Sequence, residues 1–146
     1  MFQIHHHSGI WPRLDLDPFL DFLAPALTLK DRDVITLVFA DKGFVRSLNA
    51  AYRGQDRSTN VLSFPSDADD ELGDLIFAVE TIRQEAEIEG KPFDHHLMHL
   101  IVHGSLHLQG HDHEIEAQAE VMEALETQIL GEFGLPDPYS EYNVRI

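Results

Sequence analysis

The sequence has no cysteine, and this absence limits the chemistry available to the protein. Without thiols the chain has no disulfide bonds, no cysteine nucleophile and no thiolate metal ligands. A metal site would therefore depend on nitrogen and oxygen ligands. The longest apolar runs, residues 34–40 and 75–79, are much shorter than the roughly 20 residues of a membrane-spanning helix. Since the N-terminus also lacks the basic and apolar regions of a signal peptide, we expect a cytoplasmic protein without membrane contact.

Basic residues are also scarce, because ten lysines and arginines stand against 26 acidic residues and give a net charge of −16. Such a charge argues at first against a nucleic-acid partner, since phosphate binding depends on lysine and arginine. The charge is divided unevenly, however. Residues 1–66 hold seven basic and seven acidic residues, whereas residues 67–146 hold three basic and nineteen acidic ones. Segment 42–57 has four basic residues and one acidic residue, so the sequence still allows a local basic surface.

The length of 146 residues and the hydrophobic content of 43% predict one domain, residues 1–146, with one core. Apolar and β-branched runs predict strands at residues 2–7, 34–40, 60–64 and 74–79. Apolar residues at helical spacing predict helices at residues 15–29, 41–52, 81–89, 93–109 and 114–133, before an irregular tail that follows Gly134. In the last helix, the residues expected to point inward are Val121, Leu125, Ile129 and Leu130. We therefore expect an α+β fold, in which a small mixed four-stranded sheet packs with four or five helices.

Seven of the ten histidines fall between residues 95 and 113. Three of them, His103, His107 and His113, follow the spacing H-x-x-x-H-x-x-G-x-x-H around Gly110. Positions i and i+4 share one face of a helix, so His103 and His107 can bind one ion together. Gly110 permits a sharp turn that brings His113 back as a third ligand. Three imidazoles leave one coordination position open, which is typical of catalytic zinc sites, and we predict one Zn²⁺ per chain.

The same spacing occurs in metzincin proteases, which carry glutamate directly after the first histidine as the general base. This chain has Gly104 at that position, so we reject a peptidase. The glycines form neither a phosphate-binding loop nor a dinucleotide motif, and metal-assisted hydrolysis is the expected reaction class. We interpret His95, His96 and His99 as structural positions on the same helix. Asp112 either supports a metal ligand or caps the following helix.

Three motifs together resemble the YbeY family of bacterial endoribonucleases: LNAAYRGQDRSTNVLSFP, LGDLIF and HLIVHGSLHLQGHDH, in the family's order over residues 48–113. The resemblance implies a zinc-dependent endoribonuclease that cleaves single-stranded rRNA, with roles in maturation of the 16S rRNA 3′ end and in ribosome quality control. It also implies a compact α+β fold whose zincin-like helix holds the metal, with ligands at His103, His107 and His113. Asn60 fits the family pattern, whereas His111 stands where many members have tyrosine.

The resemblance places the family's functionally important arginine on Arg53, which we take as the catalytic residue. A guanidinium offers five donors in a planar fork, so it suits a phosphodiester and the charge that develops on its oxygens. The residues alone leave two other interpretations open, in which Arg53 pairs with Asp56 or is simply solvated. They also leave open whether water or a ribose 2′-hydroxyl attacks the phosphorus.

Two alternative functions use the same residues. One is a metallohydrolase that acts on a small substrate, and the other is a ribosome-associated assembly protein whose metal is structural. The expected partners are single-stranded rRNA and the ribosome or its small subunit. The acidic helix within residues 114–132 is either a docking surface for a basic ribosomal protein or a solvated face, and a solvated face is the commoner meaning of such a charge run.

Overall fold

A computed structural model describes residues 1–10 and 12–139 of the chain. Within these residues one sheet is built from four strands: β1 (Phe2–His6), β2 (Val34–Ala40), β3 (Val61–Pro65) and β4 (Glu71–Ala78). The same residues form five α-helices: α1 (Asp17–Ala26), α2 (Lys42–Arg53), α3 (Val79–Glu89), α4 (Phe93–Leu108) and α5 (Glu116–Glu132). The predicted α+β class and the four-stranded sheet are confirmed.

The strand order is β1-β2-β4-β3, so β3 lies at one edge of the sheet. β1 and β4 run parallel to β2, and β3 runs antiparallel to β4 with Ser63 opposite Leu75. At the start of this pair the amide of Ala78 donates to the carbonyl of Asn60 at 2.9 Å. Hydrogen-bonded positions alternate along an antiparallel pair, so the backbone groups of Val61 and Ser63 point away from β4. The amides at these two positions therefore lie on the free edge of the sheet.

The two faces of the sheet pack against different helices. One face packs with α1, α4 and α5, and its buried residues are Ile35, Leu37, Phe39, Leu75 and Phe77. The other face packs with α2 through a smaller cluster that includes Leu62, Ile76, Val45 and Phe44. Ten of the sixteen residues of α4 are buried, so α4 is the central helix of the larger core. Any polar side chain on the remaining side of α4 is thereby held on a rigid support.

Several predicted boundaries are wrong by a few residues. The first helix spans Asp17–Ala26, with Pro25 in its last turn, and β4 begins at Glu71 instead of Asp74. The strand predicted to begin the chain ends at His6, after which a short 3-10 turn follows. The tail after Gly134 has no helix or strand up to Tyr139, and its remaining part, residues 140–146, lies outside the described residues.

The inward face predicted for the last helix needs a correction. Val121 is 56% exposed, whereas the buried residues of α5 are Met122, Glu126, Ile129 and Leu130. The buried face of α5 is therefore rotated from the predicted one. Met122 and Leu130 lie four residues before and after Glu126, so the carboxylate of Glu126 shares their core-facing side of the helix. No helix in the described part of the chain is both long enough and apolar enough to cross a bilayer.

Candidate metal centre

Helix α4 has one side that is less buried than the rest, and histidines occupy it at every fourth position. They are His95, His99, His103 and His107. All four are partly buried, since their neighbours on the helix pack into the core. Residues spaced by four lie one above another on a helix, so the row of imidazoles follows from the sequence spacing. Three of the row, from His99 to His107, line a cleft of about 560 Å³.

The third predicted ligand reaches the cleft from the connection between α4 and α5. Gly110 adopts a φ of +100°, a backbone conformation that glycine takes without strain, and the chain turns there. One ring nitrogen from each of His103, His107 and His113 lies within 4.8 Å of the other two. The ring centroids of these three residues are 4.9–5.3 Å apart. The fold thus brings together the three histidines that the spacing singled out.

The chemistry of this cluster suits a zinc ion. Histidine binds metal in its neutral form, and burial lowers the pKa of His107, with a further lowering from His103 and His113. Three converging nitrogen donors match a tetrahedral site that keeps one position open. The carboxylate of Asp112 accepts a hydrogen bond from the backbone amide of His113 at 2.7 Å. It does not cap α5, whose N-cap is Ile115.

A buried carboxylate stands behind the cluster. Glu126 on α5 is 0% exposed. Its Oε1 accepts a hydrogen bond from Nδ1 of His103 at 2.5 Å, and its Oε2 lies 3.0 Å from Nε2 of His99. The hydroxyl of Tyr139 also donates to Oε2. Burial alone raises the pKa of Glu126, but the hydrogen bonds from His103, His99 and Tyr139 outweigh it and lower the pKa to about 2.

Arg53 also lines the cleft, at the residue where α2 ends. Gly54 follows it with a φ of +67° and closes the helix. The Arg53 Nη2 donates to the carbonyl of Ser63 at 2.5 Å, and its guanidinium carbon lies 5.5 Å from the centre of the Phe64 ring. The suggested pairing of Arg53 with Asp56 is wrong. The carboxylate of Asp56 instead accepts a hydrogen bond from Nε of Arg46 at 2.8 Å. Arg53 and the histidines therefore line the same cleft.

The first comparison with known proteins is a match to the family described as Endoribonuclease YbeY, over residues 15–134. An Endoribonuclease YbeY from Rhodopseudomonas palustris strain BisA53 is 53% identical over 116 residues, which cover 73% of this chain and 67% of the relative. This chain belongs to the YbeY endoribonuclease family. The family resemblance and the enzyme class expected from the three motifs are confirmed.

One further relative supports the family, and one solved structure supports the fold. An Endoribonuclease YbeY from Bradyrhizobium diazoefficiens is 50% identical over 133 residues, which cover 82% of this chain and 73% of the relative. A solved solution structure of a Thermotoga maritima protein superposes with a TM-score of 0.63 at 24% identity, covering 96% of this chain and 99% of the other. That similarity supports the fold.

The roles of two residues near the site are not predicted by the sequence pattern. The charge run predicts that Glu126 belongs to the acidic surface of the last helix, although its spacing from Met122 and Leu130 places it on the apolar face. The sequence predicts a structural role for His99, yet this residue lines the cleft and shares the Glu126 carboxylate with His103. The structural interpretation agrees with the position of His96, which is buried away from the cluster.

Proposed function

We propose that this YbeY-family chain is a zinc-dependent endoribonuclease that cleaves single-stranded rRNA. One Zn²⁺ would be held by His103, His107 and His113. The observation that carries the proposal is the convergence of three imidazole nitrogens within 4.8 Å in the cleft that Arg53 also lines. Family membership supports an RNA substrate, since the relatives are named endoribonucleases.

The three histidines supply neutral nitrogen donors, and the buried position of α4 holds two of them in place. When bound, zinc supplies Lewis acidity toward a phosphoryl oxygen and increases the acidity of water. The remaining requirements of phosphodiester cleavage fall to the side chains and backbone around the cleft. These are to bind the phosphate, to align the strand and to stabilise negative charge on the phosphoryl oxygens.

Arg53 is the proposed catalytic residue that contacts the scissile phosphate. Its bond to the carbonyl of Ser63 uses one of five guanidinium donors and fixes the direction of the fork. The other donors can bind phosphate oxygens in a bidentate manner, which a lysine cannot reproduce. A positioned cation of this kind stabilises the charge that grows on the phosphoryl oxygens in the transition state.

The free edge of β3 offers a second contact for the RNA backbone. Val61 and Ser63 line the cleft, and their amides point away from β4. Backbone amides commonly donate to phosphate oxygens in nucleic-acid complexes. We propose that a single strand of RNA follows this edge between Arg53 and the histidines. An RNA duplex would bring paired bases and a second backbone to the same edge, so the proposed path is one for a single strand.

The charge distribution bears on how RNA reaches the cleft. A net charge of −16 predicts weak non-specific affinity for RNA, so local contacts and a partner must position the substrate. Exposed acidic residues on α5, among them Glu116, Glu120 and Glu132, are suited to a basic ribosomal protein. We therefore propose a cytoplasmic enzyme at the small ribosomal subunit, acting on the 3′ end of 16S rRNA and in ribosome quality control.

Cleavage of single-stranded rRNA fragments by the zinc-loaded protein tests the proposal. We expect the wild-type protein to cut them, and His107→Ala and Arg53→Ala to lose that activity. Only His107→Ala should also lose zinc. If the wild-type protein cuts no RNA, or if His107→Ala cuts as well as the wild type, the proposal is wrong.

The same samples separate the two alternative functions. RNA binding should weaken steeply with salt, because phosphate contacts release counterions, whereas a small-substrate hydrolase would show little dependence. A structural metal would leave a zinc-loaded protein that binds ribosomal particles but cuts neither RNA nor small esters.

A further inference from the structure

We infer that Glu126 is the positioning residue of the metal centre. It fixes the ring of His103 as a ligand and keeps the ring of His99 out of the ligand set. This inference rests on the proposed zinc site and goes beyond it, since it assigns a role to a residue outside the three ligands. The argument starts from the two carboxylate oxygens of Glu126, each of which contacts a different histidine.

The Oε1 atom determines which nitrogen of His103 is free. It is the acceptor for Nδ1 of His103 at 2.5 Å, so the proton of the neutral ring sits on Nδ1. The lone pair is then on Nε2, which is the nitrogen left to bind metal. A carboxylate on the far side of a ligating histidine also restrains ring rotation and increases the basicity of the donor nitrogen.

The Oε2 atom holds His99, one turn before His103. His99 and His103 are also spaced i, i+4, so the spacing alone would allow His99 to bind an ion together with His103. Nε2 of His99 instead lies 3.0 Å from Oε2 and 3.3 Å from the hydroxyl of Tyr139. The other ring nitrogen, Nδ1, is buried without a hydrogen-bond partner among the described residues, so His99 lines the cleft but lies outside the cluster of donors. A zinc ion held by His103, His107 and His113 would then keep one position open for substrate or water.

The burial of Glu126 makes this arrangement rigid. The side chain has no solvent access, and it is contacted by His99 and His103 of α4 and by Tyr139 after α5. A buried carboxylate costs free energy unless its oxygens are satisfied, so the three contacts act together. The arrangement therefore couples the histidine row of α4 to the last helix of the described chain.

Helix α4 contains a matched control for this geometry. Nε2 of His96 lies 2.9 Å from Oε1 of Glu85, and His96 is buried. This pair joins a histidine of α4 to a partly exposed carboxylate of α3, and neither residue belongs to the metal cluster. Replacing Glu85 therefore removes the carboxylate partner of a buried histidine without touching a metal ligand.

The test measures Zn²⁺ affinity by competition with a chromophoric chelator, together with the thermal stability of the metal-free protein. Glu126→Gln should weaken Zn²⁺ binding by about 10–100-fold, as expected for removal of a carboxylate behind a ligating histidine. Glu85→Gln should lower thermal stability and leave Zn²⁺ affinity within twofold of wild type. Equal affinities for Glu126→Gln and wild type would overturn the inference.

Two further variants make the outcome decisive. If Glu126→Gln fails to fold, Glu126→Asp keeps the charge but withdraws the oxygens by one methylene, and it should show a loss of affinity in the same range. Wild-type affinity in that variant would also overturn the inference. His113→Ala separates the two proposals, because retention of wild-type affinity there would refute the zinc site itself.

Discussion

Gly104 and Leu75 pack directly against each other where α4 crosses β4. A Cβ added to Gly104 would lie 2.7 Å from Cδ2 of Leu75, a side chain with no solvent exposure. This is the position at which the metzincin motif carries its catalytic glutamate. In this fold the position points at the sheet, so a carboxylate there would enter the core and would not reach the metal cleft.

We predict that Gly104→Ala destabilises the protein even though alanine favours helix formation. Overpacking against Leu75 costs about 1–3 kcal/mol, and the better helix propensity returns about 1 kcal/mol. Denaturant unfolding of Gly104→Ala, Leu75→Ala and the double variant would measure the coupling. The loss of unfolding free energy in the double variant should be smaller than the sum of the losses in the two single variants. Strict additivity would contradict the close contact.

Arg53 gives a prediction about rate that is separable from metal binding. Arg53→Ala should lower kcat by about 10²-fold or more, since removal of one donor to developing charge has effects of that size. Arg53→Lys should recover little, because an ammonium lacks the planar fork. Arg46→Ala is the control, because Arg46 is an exposed arginine that pairs with Asp56. A large loss of zinc in Arg53→Ala would contradict a role confined to the phosphate.

The edge of β3 is tested by removing one backbone donor. Ser63→Pro deletes an amide that faces the cleft, and proline is tolerated at edge strands where that amide is not part of the ladder. Ser63→Ala keeps the amide and removes only the hydroxyl. We expect Ser63→Pro to bind single-stranded RNA more weakly than Ser63→Ala by about 0.5–1.5 kcal/mol, measured by fluorescence anisotropy. Equal affinity of the two variants would remove the edge from the RNA path.

Zinc should stabilise the folded protein by mass action. At free Zn²⁺ about 100 times above its Kd the gain is about 2.7 kcal/mol, seen as a higher Tm. His113→Ala should lose most of this gain while the metal-free protein keeps its Tm, since His113 is exposed and lies outside the helices. An equal rise in Tm for both proteins would place the ion elsewhere in the chain.

The elements of this fold could largely be predicted from apolar periodicity, because most of its strands and helices bury one continuous face. The three clustered histidines followed from spacing alone, since an i, i+4 pair and a turn at Gly110 are local geometry. The predicted boundaries of α1 and β4 are wrong by a few residues. Proline occurs within the last turn of α1, and β4 begins with an acidic residue, so local sequence does not indicate where these elements end or begin. Such ends depend on tertiary packing more than on local propensity.

Glu126 shows why the rest of the site was harder to predict. Its charge suggests a solvated position, and the burial of that carboxylate is made favourable by two histidines of another helix and by Tyr139. The contact between Arg53 and Ser63 likewise depends on β3 being an edge strand, which composition does not reveal. Contacts between distant segments carried the information that the sequence pattern lacked.

The placement of the residues along the chain also bears on the order in which the site assembles. The metal cluster and Glu126 come from two consecutive helices and the turn between them, whereas Arg53 joins only once α2 and β3 have packed onto the sheet. Contacts between residues that are close in sequence cost less loop-closure entropy. The histidine cluster with Glu126 therefore has a lower entropic cost of formation than the complete site that includes Arg53. A partly folded chain would then bind zinc before it could cleave RNA. Nuclease activity would thereby depend on completion of the sheet.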